Sequence, residues 1–259
     1  DKLGYTGAQN YCDNLDLAGY QDWWLPDIKQ LYSLINFSGT DPSGYDGEDT
    51  SGLIPFIDTA YFNFNYGDTG AGERIIDAQY ASNTPYVANT GNDGGQTLFG
   101  VNFADGRIKG YGLSLFGEDK TFFVMCTRAN NSYGQNDFAA NNDGTITDTA
   151  TGLMWALDDS MTALNWQEAL AWVEQQNDAN YLGYSDWKLP DAKQLQSLVD
   201  YSRSPETSNS AAIDPLFNAT AIVNEAGNTD YPAYWTNTTH VNWTSNAGSS
   251  AVYINFGRS

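Results

Sequence analysis

Two stretches of this chain are nearly the same sentence. "GYQDWWLPDIKQLYSL" runs from Gly19 to Leu34 and "GYSDWKLPDAKQLQSL" from Gly183 to Leu198, with 12 of 16 aligned positions identical at a separation of 164 residues. A repeat of that period describes two copies of one folded unit. The stacked units of solenoids and propellers recur at roughly 20–50 residues. A chain of 259 residues fits two domains, because a single domain holds on the order of 100–200 residues. The expected units are 1–132 and 133–259, each long enough to bury its own core.

The repeated stretch has a readable local structure. Asp27 with Gln30, and Asp191 with Gln194, form capping boxes just after a proline. Ile28, Leu31, Leu34 and Ile35 then share one helical face, and Ala192, Leu195, Leu198 and Val199 repeat it. Upstream of the second copy, Asn165 and Glu168 cap a helix whose stripe is Trp166, Ala169, Leu170 and Val173. The first copy has Tyr5, Ala8 and Cys12 at the matching positions of a poorer helix, once three residues of loop are allowed for. Trp23 and Trp187, with Leu25 and Leu189 beside them at the helix entry, read as structural core plugs rather than ligand platforms.

Downstream the pattern changes to short runs rich in Thr, Val, Tyr and Phe: "QTLFGVNF", "TFFVMCTR", "GTITDTATGLMWAL", "AYWTNTTHV" and "SAVYINFG". Gly, Asn and Asp break them, with turn signals at 92–95 and 104–107. Each unit is thus expected to be two helices followed by a loop-rich antiparallel sheet, an α+β plan.

Composition narrows the partners. The net charge is −21, from 32 acidic and 11 basic residues. Nucleic acids, heparin-like polymers and anionic membranes call for clustered Lys and Arg, so the charge argues against these partners. No run of 18 apolar residues offers a membrane span. The segment opens at "DKLGYTG" without a signal peptide, so any export signal is expected to have been removed or to lie outside it.

The segments "NNDGTITDTATGLMWAL", "NWQEALAWVEQQNDANYLGYSDWKLPDAKQLQSLVDYS", "YWTNTTH" and "VYINFG" together resemble the Lcl C-terminal domain family, named for the end domain of a collagen-like bacterial adhesin. The resemblance covers nearly the whole chain as two tandem copies. It implies C-type-lectin-like units in a secreted or cell-surface bacterial protein. It also implies non-catalytic binding of a glycan or a surface protein, in adhesion or an extracellular assembly. The alternative is a structural subunit of an extracellular filament or surface layer that binds copies of itself. The adhesin's taste for sulfated glycans does not carry over to a chain this acidic.

The copies differ at their ends. The second opens with Asn142–Leu157, which has no counterpart in the first, and the first closes with 121–128, which has none in the second. Opening and closing strands pair in lectin-like domains. A trimmed chain is one expectation. The other is strand exchange, with 121–128 pairing with 145–156 and neighbouring molecules completing the ends.

Cys12 and Cys126 both belong to the first unit. In an exported protein they are expected to form a disulfide, with two buried thiols as the alternative. For metal, "DPSGYDGEDTSG" sets Asp41, Asp46, Glu48 and Asp49 in a Gly-rich loop whose oxygen ligands suit calcium, although the spacing is not that of an EF-hand. His240 is the only histidine. No second histidine or thiol lies near it in sequence to form a relay, so no enzyme activity is expected. Five Asn-x-Ser/Thr sites, at Asn36, Asn130, Asn218, Asn237 and Asn242, permit glycosylation.

Overall fold

Reciprocal hydrogen bonds written into the sequence fix three helix starts. Asp27, Asn165 and Asp191 each accept the backbone N–H three residues on, while Gln30, Glu168 and Gln194 each reach back to the cap residue's own N–H. Such caps satisfy donors that a helix end otherwise leaves orphaned. Glycines at φ +80° (Gly19) and +86° (Gly183) open the two copies of the repeated stretch. That conformation explains why glycine opens both copies.

The computed structural model describes residues 2–88, 95–115, 117–244 and 248–258. The turn signal at 92–95 thus lies largely outside the described residues. The chain forms two units, one of residues 1–133 with 239–250, the other of 134–238 with 251–259.

The first unit holds α1 (Tyr5–Asp13), α2 (Ile28–Tyr32), β1 (Thr40–Asp41), β2 (Gln79–Pro85), β3 (Thr97–Asn102), β4 (Arg107–Gly112), β5 (Ser114–Leu115) and β6 (Glu118–Asp119). Strands β2, β3 and β4 form an antiparallel meander, with Val101 opposite both Tyr80 and Ile108. Ala8 and Cys12 of α1 pack with Leu25, Ala81, Leu98 and Phe122 in one apolar cluster.

The second unit opens with a meander of β7 (Phe138–Ala140), β8 (Thr145–Asp148) and β9 (Leu153–Ala156). It continues with α3 (Trp166–Asp178), α4 (Ala192–Ser197) and α5 (Pro205–Ser208), then β10 (Ile222–Val223), β11 (Thr229–Asp230), β12 (Ala233–Asn242) and β13 (Ser250–Asn255). Residues 239–242 of β12 belong to the first unit, where Val241 and Asn242 pair in parallel with Thr40 and Asp41. The second unit's core gathers Leu195, Leu198 and Val199 against Ala211, Ala212, Ile213, Ile254 and Phe256.

The chain is therefore α+β, with five α-helices and several small, mostly antiparallel sheets among the described residues. The two-helix plan needs one amendment, because the second unit has the extra helix α5. Ser204 caps it, and Pro205 is pre-shaped for its first turn.

Hydrogen bonds repeat between the units almost group for group. Ile28 N–H donates to Thr84 Oγ1, and Ala192 N–H to Thr238 Oγ1, both at 3.0 Å. Asn83 N–H donates to Pro26 O at 2.7 Å, and Asn237 N–H to Pro190 O at 2.9 Å. Ser82 Oγ donates to Phe99 O, as Thr236 Oγ1 does to Val252 O. Phe56 N–H donates to Phe103 O, as Ala212 N–H does to Phe256 O. These pairs make Ala81 the counterpart of Trp235, Leu25 of Leu189, and α1 of α3.

The expected pairing of 121–128 with 145–156 does not occur among the described residues. Strand β8 pairs with β7 and β9. Segment 121–128 lies inside the first unit, with antiparallel bridges from Phe122 to Leu3 and from Thr127 to Trp24, and a parallel bridge from Phe123 to Tyr80. Two constraints hold it there. Phe122 is fully buried, and Cys126 is bonded to Cys12. The disulfide expected from the sequence is thus present.

Candidate binding cleft

The proposed calcium quartet does not converge. Asp41 is buried and points at Arg107, whose Nη2 donates to Asp41 Oδ2 at 2.6 Å; its Oδ1 accepts Ser43 N–H. Asp46, Glu48 and Asp49 are exposed, and Asp49 is spent on Ser51 N–H. Among the described residues no group of three or more His, Cys, Asp or Glu is placed to hold a metal ion. The physical reason is competition. The Arg107 guanidinium, itself part-exposed, pairs at 2.6 Å with the buried Asp41 carboxylate and so commits that ligand to an ion pair.

His240 belongs to the same structural knot. Its Nε2 lies 3.0 Å from Asp105 O and its ring stacks on Phe56 at 5.1 Å. Asp105 pairs with Lys109 and, at 3.5 Å, with Arg107. Burial pushes the Asp105 carboxyl above the usual carboxylate range, against the pull of Lys109 and Arg107, and nearby Asp41 adds to the rise. The Asp105 pairs run through Oδ2, while its Oδ1 is buried without a hydrogen-bond partner, and the histidine is a packing residue held by the Asp105 carbonyl and the Phe56 ring.

Trp23 and Trp187 are half-buried, not core. Trp23 donates through Nε1 to Tyr20 O and lies 6.0 Å from the Arg128 guanidinium. Trp187 donates through Nε1 to Tyr181 O at 3.0 Å and meets Tyr184 edge-on at 5.8 Å. Each indole is anchored by its polar edge, so its ring stays at the surface. Leu25 is core at 2% exposure, whereas Leu189 is half-buried. That inequality between counterparts marks the most distinctive feature of the second unit.

Leu189 lines a cleft of about 710 Å³. Its walls carry Trp155, Trp172, Trp187, Trp235, Tyr181 and Tyr184, with Ala169 and Val173 of α3 on one side and 153–164 on the other. Helix α3 explains the opening. It presents Trp166, Ala169, Leu170 and Val173 on one face, yet only Ala169 is buried, while α1 buries both Ala8 and Cys12. An apolar helix face left half-covered beside a cleft makes this the candidate site. Trp235 closes one corner by donating through Nε1 to Leu164 O at 2.9 Å, and Trp166 Nε1 donates to Thr236 O at 2.8 Å. The Trp155 indole N–H is buried without a hydrogen-bond partner, an available donor.

Asp158, Asp159, Asp186 and Lys188 provide the charge of the cleft. Burial raises the Asp159 carboxyl, but hydrogen bonds from Thr220 and Tyr234 outweigh it and hold the pKa below the ordinary value. Asp159 is therefore an engaged carboxylate, not a proton donor. In the meander, Asp148 is likewise raised by burial and lowered further by bonds from Asp137 N–H, Asn136, Thr151 and Ala150 N–H. Both groups bind fewer protons folded than unfolded. Their stabilisation is complete above the unfolded value of about 3.9 and is lost as the pH falls through the lower native values. We expect the urea midpoint of the second unit to fall below about pH 4 and Asp148→Asn to flatten that decline. An unchanged slope in the variant would show that acid lability arises elsewhere.

The helix-and-sheet unit is present twice, as an α+β domain, with the disulfide in the first copy and the aromatic cleft in the second. The family model for the Lcl C-terminal domain matches residues 1–128 and 144–259, and the chain belongs to that family. No curated protein and no solved structure matches the sequence. The family and the intrachain disulfide fit an extracellular or surface-associated protein, and no helix among the described residues is long and apolar enough to cross a membrane. The cleft residues Trp172, Tyr181, Tyr184 and Trp235 were not singled out from sequence. The α3 stripe was their one signal, and it read equally well as core.

Proposed function

We propose that this chain is a non-catalytic binding module of an extracellular or cell-surface protein, built on a C-type-lectin-like plan. Its ligand site is the aromatic cleft of the second unit. The half-covered face of α3 carries this reading, since it leaves apolar and aromatic surface facing a cleft of about 710 Å³. Ligands that fit are uncharged or basic and present an apolar or aromatic face, because three of the four charged residues lining the cleft are acidic. Sulfated glycans are disfavoured on the same ground.

The test is saturable binding of the 259-residue chain to arrays of neutral glycans and of surface-protein peptides. Trp172→Ala and Tyr184→Ala are expected to weaken capture at least about tenfold, consistent with the loss of one aromatic contact, and the ligand should be recovered unchanged in mass. Capture indifferent to both substitutions would remove the cleft from the account, and a processed ligand would remove the non-catalytic reading.

A further inference from the structure

The two units handle the same groove differently. In the first, α1, Leu25 and Ala81 form a trough into which residues 121–128 are laid. Phe122 fills its floor, and the backbones of Leu3 and Trp24 each exchange two hydrogen bonds with the segment, at Phe122 and Thr127, of 2.8–2.9 Å. The counterparts of Ala8, Cys12, Leu25 and Ala81 are Ala169, Val173, Leu189 and Trp235, and all four line the cleft of the second unit. The counterparts of Leu3 and Trp24 are Leu164 and Lys188, which are in no β-bridge among the described residues. Leu164 O instead accepts the Trp235 indole N–H, a side-chain donor at the carbonyl whose counterpart, Leu3 O, takes a strand N–H.

We infer that the cleft of the second unit is a strand-acceptor groove. Its ligand is an extended peptide segment donated by another polypeptide, with apolar side chains on alternate residues led by a large aromatic, as in Phe122-x-Val124-x-Cys126. This deepens the binding-module reading above and rests on it. Main-chain bonds at Leu164 and Lys188 supply affinity without sequence, and the trough selects the alternating side chains, as in other cases of strand addition. Charge agrees: the segment 120–128 carries Lys120 and Arg128, and the cleft carries Asp158, Asp159 and Asp186. A second copy of this chain is a poor donor, because its own 121–128 is held by a buried aromatic and a disulfide.

The test uses a synthetic peptide of residues 120–128, KTFFVMCTR, whose cysteine is activated as a mixed disulfide with thionitrobenzoate, and the full chain carrying Val173→Cys. Val173 stands where the first unit has Cys12, so a peptide docked in the same register brings its sulfur to the new thiol. The thiolate attacks the peptide sulfur and a protein–peptide S–S bond forms. Thionitrobenzoate leaves with the bonding electron pair, and the thiol proton goes to solvent. We expect one peptide per chain by intact mass, labelling at least about tenfold faster than by a scrambled peptide (a gain of about 1.4 kcal/mol), and none of the parent chain. On the parent chain, a Cys-to-Ser version of the peptide should shift tryptophan emission saturably as its N–H displaces the Trp235 indole from Leu164 O. Ala169→Trp should abolish that shift.

Equal rates for the ordered and scrambled peptides, or a shift untouched by Ala169→Trp, would overturn the strand-acceptor assignment. Self-association that the peptide competes away would overturn the assignment to another polypeptide. If the peptide fails while Trp172→Ala still weakens capture of an array ligand, the strand inference falls and the binding-module reading stands.

Discussion

Replacing Cys12 and Cys126 with serine is expected to lower the stability of the first unit by about 5 kcal/mol. The bridge spans a sequence separation of 114 residues, and the chain-entropy model assigns roughly 4.7 kcal/mol to a loop of about 100. The effect should appear in denaturant unfolding as loss of midpoint in one transition, with the second unit's transition unmoved. Reduction of the parent chain should reproduce it. The bridge is also what keeps 121–128 in its trough, because that segment makes only isolated bridges and no continuous ladder. A serine variant should therefore release the segment to proteolysis before the rest of the unit unfolds. Two thiols alkylated in the unreduced parent, or an unchanged midpoint, would overturn the claim.

The parts of the fold that could be read in the sequence were those set by neighbours in the chain. Asp27–Gln30, Asn165–Glu168 and Asp191–Gln194 carry their own instructions within four residues, and each formed the box its spacing describes. The repeated stretch announced the duplication for the same reason. What failed depended on distant partners. Asp41 looks like a loop ligand until Arg107, 66 residues on, claims it. His240 looks isolated until it meets Asp105 O, 135 residues back. Segment 121–128 has the composition of a strand, but which edge it joins is decided by Leu3, Trp24 and Tyr80, three points scattered through the unit. Trp23 and Trp187 have the composition of core, yet the carbonyls of Tyr20 and Tyr181 hold their indole N–H groups and both rings stay half-buried.

The candidate site illustrates the same limit. Ala169, Val173 and Leu189 are the residues a buried helix–loop contact would use, and Ala8, Cys12 and Leu25 are used in that way. Only the covering segment distinguishes core from binding surface, and the stripe on α3 is silent about what covers it. Trp235 in place of Ala81 adds a clue that emerges only once the two units are aligned through their shared hydrogen bonds. A large aromatic where the other copy has the smallest apolar side chain means that the space above it is differently filled.

If the trough is a feature of the shared scaffold and Phe122 is its filler, Phe122→Ala should produce in the first unit a cavity like the one the second unit has already. Phe122 is fully buried among Ala8, Cys12, Leu25, Ala81 and Leu98, so truncating it should cost about 3–5 kcal/mol, the transfer of the ring plus the void it leaves. Collapse is resisted on two sides. The disulfide holds Cys126 to α1, and paired backbone bonds fix Leu3 and Trp24 against residues 122 and 127. A void walled by such rigid apolar groups stays dry and takes up small aromatic molecules. Toluene at millimolar concentration should accordingly raise the midpoint of the Phe122→Ala first unit and leave that of the parent first unit unchanged. In the second unit, where aromatic walls already face the cleft, no such substitution should be needed, and toluene should quench or shift tryptophan emission in the parent chain. A Phe122→Ala variant that loses less than about 1 kcal/mol, the cost of a small cavity or none, would mean that the trough closes by itself. The half-covered α3 face would then be ordinary surface and not a site kept open by the scaffold.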